Sequence, residues 1–412
     1  MRPPRQTDEE NAIIDKQVHD QIVAGMAMKW TADMGLPSVV SNMCVVMQTD
    51  SKGKTKPRVV TDFRYCNSGV HPGSLVLPTV TDFARTMKKG ELMSKQDCKS
   101  AYMQSALREG DRHLATLLWR GSLVVMMVDS FGNRDVPSFW QWHASRASED
   151  ALAATSRGIL AARVYIDDFF QRWRHGVSDS DVRLISEEWI ESITSKGLVL
   201  GRDKCLPPST ECEVLGYHLD SEAMMITVPE VKSARYRESV KELAETARRH
   251  GGAQTRMIAR VLGQLGSMEA AVPHLLLLSR PLIDDLKEGL AAAHRDIRES
   301  GEIPQMRNPA EAAHNYDWID TVVPVSTDTI SSLDYLLEHW GEMNGQAIGR
   351  PKARVIIATD ASDTGAGGSI FVIDANGRLI HLGDFAGNLS MAESQLSSTA
   401  REALAQLKAI LF

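Results

Sequence analysis

At 412 residues, with 43% hydrophobic and 24% charged residues, the chain has an ordinary globular composition, is too long for one simple core, and is expected to divide into two to four domains. A formal net charge of −7 argues against a protein that coats nucleic acid generally, so any grip on phosphate backbones has to come from local patches. Five cysteines, odd in number and without a C-x-x-C pair, argue against a zinc site or a disulfide framework and read as reduced intracellular thiols.

The start, Met1 to Arg5, lacks an apolar segment, so no signal peptide is expected. Up to about Pro37, apolar residues at helical spacing (Ile13, Ile14, Val18, Ile22, Val23, Met26) predict a leading helix. Val39–Met47 reads as a strand, Thr49–Lys56 as a polar loop centred on Gly53, and Arg58–Phe63 as a second strand, which makes a basic-tipped hairpin. An amphipathic stretch through Phe83, Ala84 and Met87 then leads to a short strand-like segment ending at Asp97. Farther on, Gly132 allows close backbone approach, and Pro137 starts a helix predicted to run towards Leu160.

Val164–Phe170 sets Asp167 and Asp168 among β-branched and aromatic residues, the pattern of a tight hairpin turn between buried strands. Such a pair of anions is either a solvated turn or a site where a divalent cation neutralises both. Asp181–Ser195 has helical spacing, and from Pro229 the composition shifts to helices at Val231–Ala247, Thr255–Met268 and Pro281–His294. Their Lys232, Arg235, Arg237, Lys241, Arg248, Arg249, Arg256 and Arg260 read either as a solvated face or as a stripe for a duplex backbone. Leu275–Leu278, the most apolar run, falls far short of a membrane span. Residues 301–350, with Pro304, Pro309 and Pro324, read as a connection. Strands at Val355–Ser362, Ser369–Ile373 and Leu379–Leu382, with a hairpin signal at Asp374–Gly377, precede a helix through Ala400–Leu404.

Asp97 followed five positions later by Tyr102, and Tyr165-Ile166-Asp167-Asp168 beyond it, resemble the two catalytic strands of reverse transcriptases. Pro57–Asn67, Phe131–Gln141, Gly197–Cys205 and Val214–Asp220 resemble further motifs of that family in its order, which points to a DIRS-like or related LTR-type retroelement. Ser130 and Asn133 depart from it, since the family commonly has Pro before Phe-Gly and an apolar residue after. The resemblance implies an α+β right-hand polymerase of fingers, palm and helical thumb, followed by a partial ribonuclease H-like α/β domain. Its divisions are an N-terminal helical lead (1–37), fingers (38–96), palm with some fingers segments (97–228), helical thumb (229–300), connection (301–350) and the partial ribonuclease H-like domain (351–412).

It also implies roles. Asp97, Asp167 and Asp168 would hold two Mg²⁺ ions, or Mn²⁺ in their place, and Lys204 would protonate the departing pyrophosphate. Lys56, Arg58, Tyr102, Gly132 and Gln141 would contact the nucleotide, with Tyr102 excluding a 2′-hydroxyl. Arg64 and the Leu215-Gly216-Tyr217 turn would contact template and primer. Asp360 and Glu402 would bind metal in a ribonuclease H domain that is incomplete and inactive as it stands. Read from the residues alone, Tyr102 is as easily a core tyrosine and Lys204 a surface charge.

The implied activity is RNA-directed DNA polymerisation, a nucleotidyl transfer from deoxynucleoside triphosphates onto a primer on an RNA or DNA template. It is expected to be intracellular, cytoplasmic or nuclear, with no membrane partner. The alternative is a decayed or domesticated copy that binds nucleic acid without polymerising. A viral RNA-dependent RNA polymerase is disfavoured by Tyr102 and by the ribonuclease H-like tail.

Overall fold

The computed structural model describes residues 6–49, 55–71, 73–201, 205–300, 321–349, 355–373 and 378–411. It divides into two compact units, residues 1–348 and 349–412. The expected loop tip at 50–54, Lys204, Pro304, Pro309 and the hairpin signal at 374–377 lie outside the described residues.

In the first unit, α1 (Asp8–Val23) starts on a capping box in which Thr7 and Glu10 satisfy each other's backbone N–H groups. It buries Ile14 and Val18 against the sheet that follows. Strands β1 (Ala27–Lys29), β2 (Val40–Ser41), β3 (Met43–Thr49) and β4 (Thr55–Thr61) come next. The short helices α2 (Arg64–Ser68) and α3 (Val80–Ala84) precede β5 (Met93–Asp97), β6 (Thr116–Trp119) and β7 (Ser122–Met126). One sheet has the order β1-β7-β6-β2, and β3 pairs with β4 as the expected hairpin.

Helix α4 (Val136–Thr155) leads into β8 (Ile159–Tyr165) and β9 (Asp168–Trp173), and α5 (Asp179–Ser195) follows. The sequence pattern carried α4 on to Leu160, but the helix ends at Thr155, where the Gly158 amide turns back to the Thr155 carbonyl. Ile159 then pairs with Trp173 and is almost wholly buried, so sheet packing overrides the helical spacing there. Beyond α5 come β10 (Leu206–Ser209), β11 (Glu211–Val214), β12 (Tyr217–Asp220) and β13 (Met225–Thr227).

The central sheet has the order β10-β5-β9-β8, with antiparallel neighbours. It is covered on both faces. Phe169 and Trp173 enter a core with Trp140 of α4 and Trp189 of α5, while Phe170 and Met93 enter the larger core on the opposite face. Burial on both faces explains why β9 carries adjacent buried aromatics, Phe169 and Phe170, where a half-exposed strand would alternate.

The larger core is closed by α6 (Glu230–His250), β14 (Gly252–Gln254), α7 (Thr255–Gly266), α8 (Leu275–Leu278) and α9 (Arg280–Ser300). β15 (Val322–Pro324), α10 (Thr327–Met343) and β16 (Gln346–Ala347) complete the unit. Helix α10 lies in the stretch read as a connection from its prolines. Its Leu333, Leu336 and Trp340 recur at helical spacing and are buried in the same core as Val240 and Leu243 of α6.

The second unit is a meander of β17 (Val355–Ala361), β18 (Gly365–Ile373) and β19 (Leu379–Asn388). After α11 (Met391–Ser394), α12 (Ser398–Leu411) packs against β17 and β18, with Ala405 and Ala409 buried.

Candidate active site

The β8–β9 hairpin closes on a two-residue turn, Ile166-Asp167, between the paired residues Tyr165 and Asp168. Ile166 has φ +54°, a left-handed conformation that such turns normally give to glycine and that is strained for a β-branched residue. A cost of about 1–3 kcal/mol is expected, so neighbouring structure has to impose it. Helix α4 does so. Gln141 Nε2 donates to the Val164 carbonyl at 2.8 Å, and its Oε1 accepts from the Ile166 amide at 2.8 Å. Trp140 Nε1 donates to the Ile166 carbonyl, also at 2.8 Å. Both side chains are buried, and the bond to the Val164 carbonyl is buried while those to the half-buried Ile166 are partly so.

The strand beside the hairpin brings in the third acid. Asp97 at the end of β5 lies opposite Asp168 at the start of β9, and the Cys98 amide donates to the Asp167 carbonyl at 2.7 Å. Strand alternation sets Asp97, Lys95, Asp168 and Phe170 on one face of the sheet. Lys95 Nζ binds Asp168 Oδ2 at 2.8 Å and lies 5.4 Å from the Phe170 ring centre. Burial pushes the Asp168 carboxyl above its ordinary range; Lys95 opposes the shift, and the Asp167 and Asp97 charges add to it.

Three carboxylates from converging strands are the hard oxygen donors that Mg²⁺ takes, so the donor chemistry fits that ion. Among the described residues no three His, Cys, Asp or Glu side chains already converge tightly enough to hold a metal, and Asp168 is engaged by Lys95.

Tyr102, on the 3-10 turn after β5, is buried with its ring 4.7 Å from Phe131 and 6.3 Å from Trp140. Burial and the Asp167 charge push its hydroxyl up to about 12. Gly132 has φ +100°, and a Cβ there would lie 3.3 Å from the Thr61 carbonyl, so glycine allows this close approach to β4. Asn67 fixes the same loop, donating to the Gly132 carbonyl at 2.8 Å and accepting from the Arg134 amide at 2.9 Å.

The remaining expected residues fall in several places. Lys56 and Arg58 are exposed on one face of β4. Arg64 forms a bidentate pair with Asp62, 2.8 Å at both contacts. Leu215 and Gly216 form the β11–β12 turn, with φ +51° and +76°, and Tyr217 opens β12. Asp360 on β17 and Glu402 on α12 are both exposed within the second unit.

Gln141 differs from expectation. Both ends of its amide, assigned to the nucleotide from the motif, are bonded to the hairpin. Lys232, counted with the basic stripe, instead lies half-buried against two backbone carbonyls. Sequence reasoning also passed over Lys95, although its place two residues before Asp97 on a strand put it on the acids' face. Trp140 carried no local signal, because its partner lies 26 residues away.

No family model matches the chain. Among curated relatives, the Transposon Tf2-3 polyprotein of Schizosaccharomyces pombe is 20% identical over 369 residues, 90% of this chain and 24% of the polyprotein. The Tf2-7 polyprotein is 19% identical over the same length. The chain thus spans about a quarter of the length of the curated relatives it matches. Among solved structures, the foamy viral protease-reverse transcriptase dRH in complex with double-stranded DNA matches with a TM-score of 0.63 at 14% identity, covering 100% of this chain and 62% of that one. Its fold is that of a reverse transcriptase. The foamy viral protease-reverse transcriptase with an RNA/DNA hybrid has the same fold, with a TM-score of 0.61 at 12% identity and coverage of 100% and 47%. Similarity to the Tf2 polyproteins relates the chain to retrotransposons. Among the described residues no helix is long and apolar enough to cross a membrane.

Proposed function

We propose that the chain is the RNA-directed DNA polymerase of a retroelement, adding deoxynucleotides to a primer paired with an RNA or DNA template. The observation that carries this reading is the register that sets Asp97 beside Asp168, with Asp167 on the adjoining braced turn, within a reverse-transcriptase fold. Two Mg²⁺ ions, when bound, supply stabilisation of the attacking and leaving oxygens of phosphoryl transfer. Asp97, Asp167 and Asp168 would hold them, and the chain's own task is otherwise positioning.

In this reading β3–β4 belongs to the fingers, the central sheet to the palm, and α6, α7 and α9 to the thumb. Lys56 and Arg58 meet the triphosphate from the exposed face of β4, where Arg can grip phosphate oxygens in a bidentate fork. Tyr102 lies under the sugar, and the Leu215-Gly216-Tyr217 turn supports the primer end. The second unit is the opening of a ribonuclease H-like domain, in which Asp360 and Glu402 would hold metal.

The test is primer extension on an RNA template with deoxynucleotides and Mg²⁺, comparing the parent with Asp167→Asn. Extension by the parent and a loss of at least about a thousandfold in the variant, equivalent to about 4 kcal/mol of barrier, are expected. A folded parent that binds primer–template and extends nothing would overturn the reading in favour of nucleic-acid binding without polymerisation.

A further inference from the structure

The β11–β12 turn has two successive left-handed residues, Leu215 and Gly216, so its carbonyls are held at fixed angles and one of them faces inward. The carbonyl of Gly216 accepts from Lys232 Nζ at 3.2 Å, and the same ammonium donates to the Ser267 carbonyl at 3.3 Å. Lys232 lies near the start of α6, and Ser267 directly follows α7. Around them, the ammonium lies 5.0 Å from the Tyr217 ring centre and 5.7 Å from that of Tyr236. Ser267 Oγ meets the Tyr236 hydroxyl at 3.2 Å, and the Tyr217 hydroxyl bonds to the Ala270 backbone. One cation therefore joins the turn, the first turns of α6 and the end of α7.

The alternative for a lysine here is a phosphate contact, which needs a free, hydrated ammonium. Lys232 is half-buried, two of its donors are taken by carbonyls and its charge faces two aromatic rings. Burial lowers its proton affinity, as expected for an ammonium taken from water.

We propose that Lys232 is a positioning residue, a pin that fixes the 215–217 turn to α6 and α7 so that turn and helices move as one body without contact between the lysine and nucleic acid. The primer-end consequence rests on the polymerase reading above; the pin itself does not.

The first test needs no activity. Reductive methylation of the parent, read by mass spectrometry, should modify exposed Lys241 much faster than Lys232, with or without primer–template. Lys232 that reacts as readily as Lys241 when free, and is protected only by nucleic acid, would be a phosphate contact and overturn the proposal. Second, Lys232→Met should speed amide exchange at least tenfold at residues 215–218 and 267–270 while leaving the β8–β9 hairpin unchanged; unchanged exchange at the turn overturns the pin.

If the parent polymerises, Lys232→Met should lower kcat about tenfold and raise KM for primer–template with KM for the nucleotide unchanged. The slope of log K against log salt for primer–template should match the parent's, whereas loss of a phosphate contact would make it shallower by about 0.9. An inactive parent would defeat the polymerase reading and leave methylation and exchange to decide the pin.

Discussion

Two tight turns in the first unit are both held by a neighbouring helix, yet by opposite chemistry. The Ile166-Asp167 turn is braced by an indole and an amide, Trp140 and Gln141, whereas the Leu215-Gly216 turn is braced by the ammonium of Lys232. The first turn carries an acid and adjoins two more, while the second carries only apolar and aromatic side chains. A cation bracing the first from behind would compete for the very charges that a metal site needs. Neutral donors hold the backbone there and leave the carboxylates to other partners. At the second turn no such conflict exists, and a cation can satisfy a carbonyl and face two rings.

The largest effect should come from breaking the neutral brace. Gln141→Leu keeps the side chain's bulk but leaves the Val164 carbonyl and the Ile166 amide without their partners. At about 1–3 kcal/mol for each buried group left unmade, the loss in unfolding free energy should be about 2–4 kcal/mol, measured by urea denaturation. Primer extension should fall with it while primer–template binding persists. A loss below about 1 kcal/mol would mean that the hairpin holds its strained turn unaided.

The acids of the first turn could be read from sequence, but its brace could not. Alternation and a two-residue turn are local patterns, and Val164–Phe170 shows both. The bonds from α4 join residues 25 and 26 positions apart, and nothing in the spacing of Trp140 or Gln141 aims them at Ile166. Lys232 was misplaced for a related reason. Its charge counts towards a basic stripe, but only the packing of α6 beside Tyr217 decides that it faces inward. Helix α10 was hidden by the prolines around it, although Leu333, Leu336 and Trp340 carry the periodicity. The site lysine expected at 204 lies outside the described residues.

Lys95 is the exception that sharpens the comparison, because a cation does reach the acids, from the strand face rather than from behind the turn. If its bond to Asp168 stands in competition with a divalent ion, Lys95→Met should tighten Mn²⁺ binding about tenfold, or about 1.4 kcal/mol, by electron paramagnetic resonance titration. Weaker or unchanged Mn²⁺ affinity would show that the lysine helps to build the site rather than compete in it.

An effect of similar size is expected at an acid whose strongest charged neighbour is another acid. Asp129, whose amide donates to the Ser105 carbonyl, is pushed up to about 6 by burial and then by the Asp135 charge. Its folded-state pKa lies above the ordinary carboxylate value of 3.8, so the folded protein holds this proton more tightly than the unfolded chain. That contribution to stability is fully present below pH 3.8 and is lost as pH rises through about 6. Asp129→Asn should therefore match the parent near pH 4 and exceed it at pH 7.5, by on the order of 1–2 kcal/mol once solvent relaxation is allowed for. Denaturation of parent and variant at the two pH values measures the difference. A gain of equal size at both would mean that the asparagine improves packing and that no buried charge is relieved.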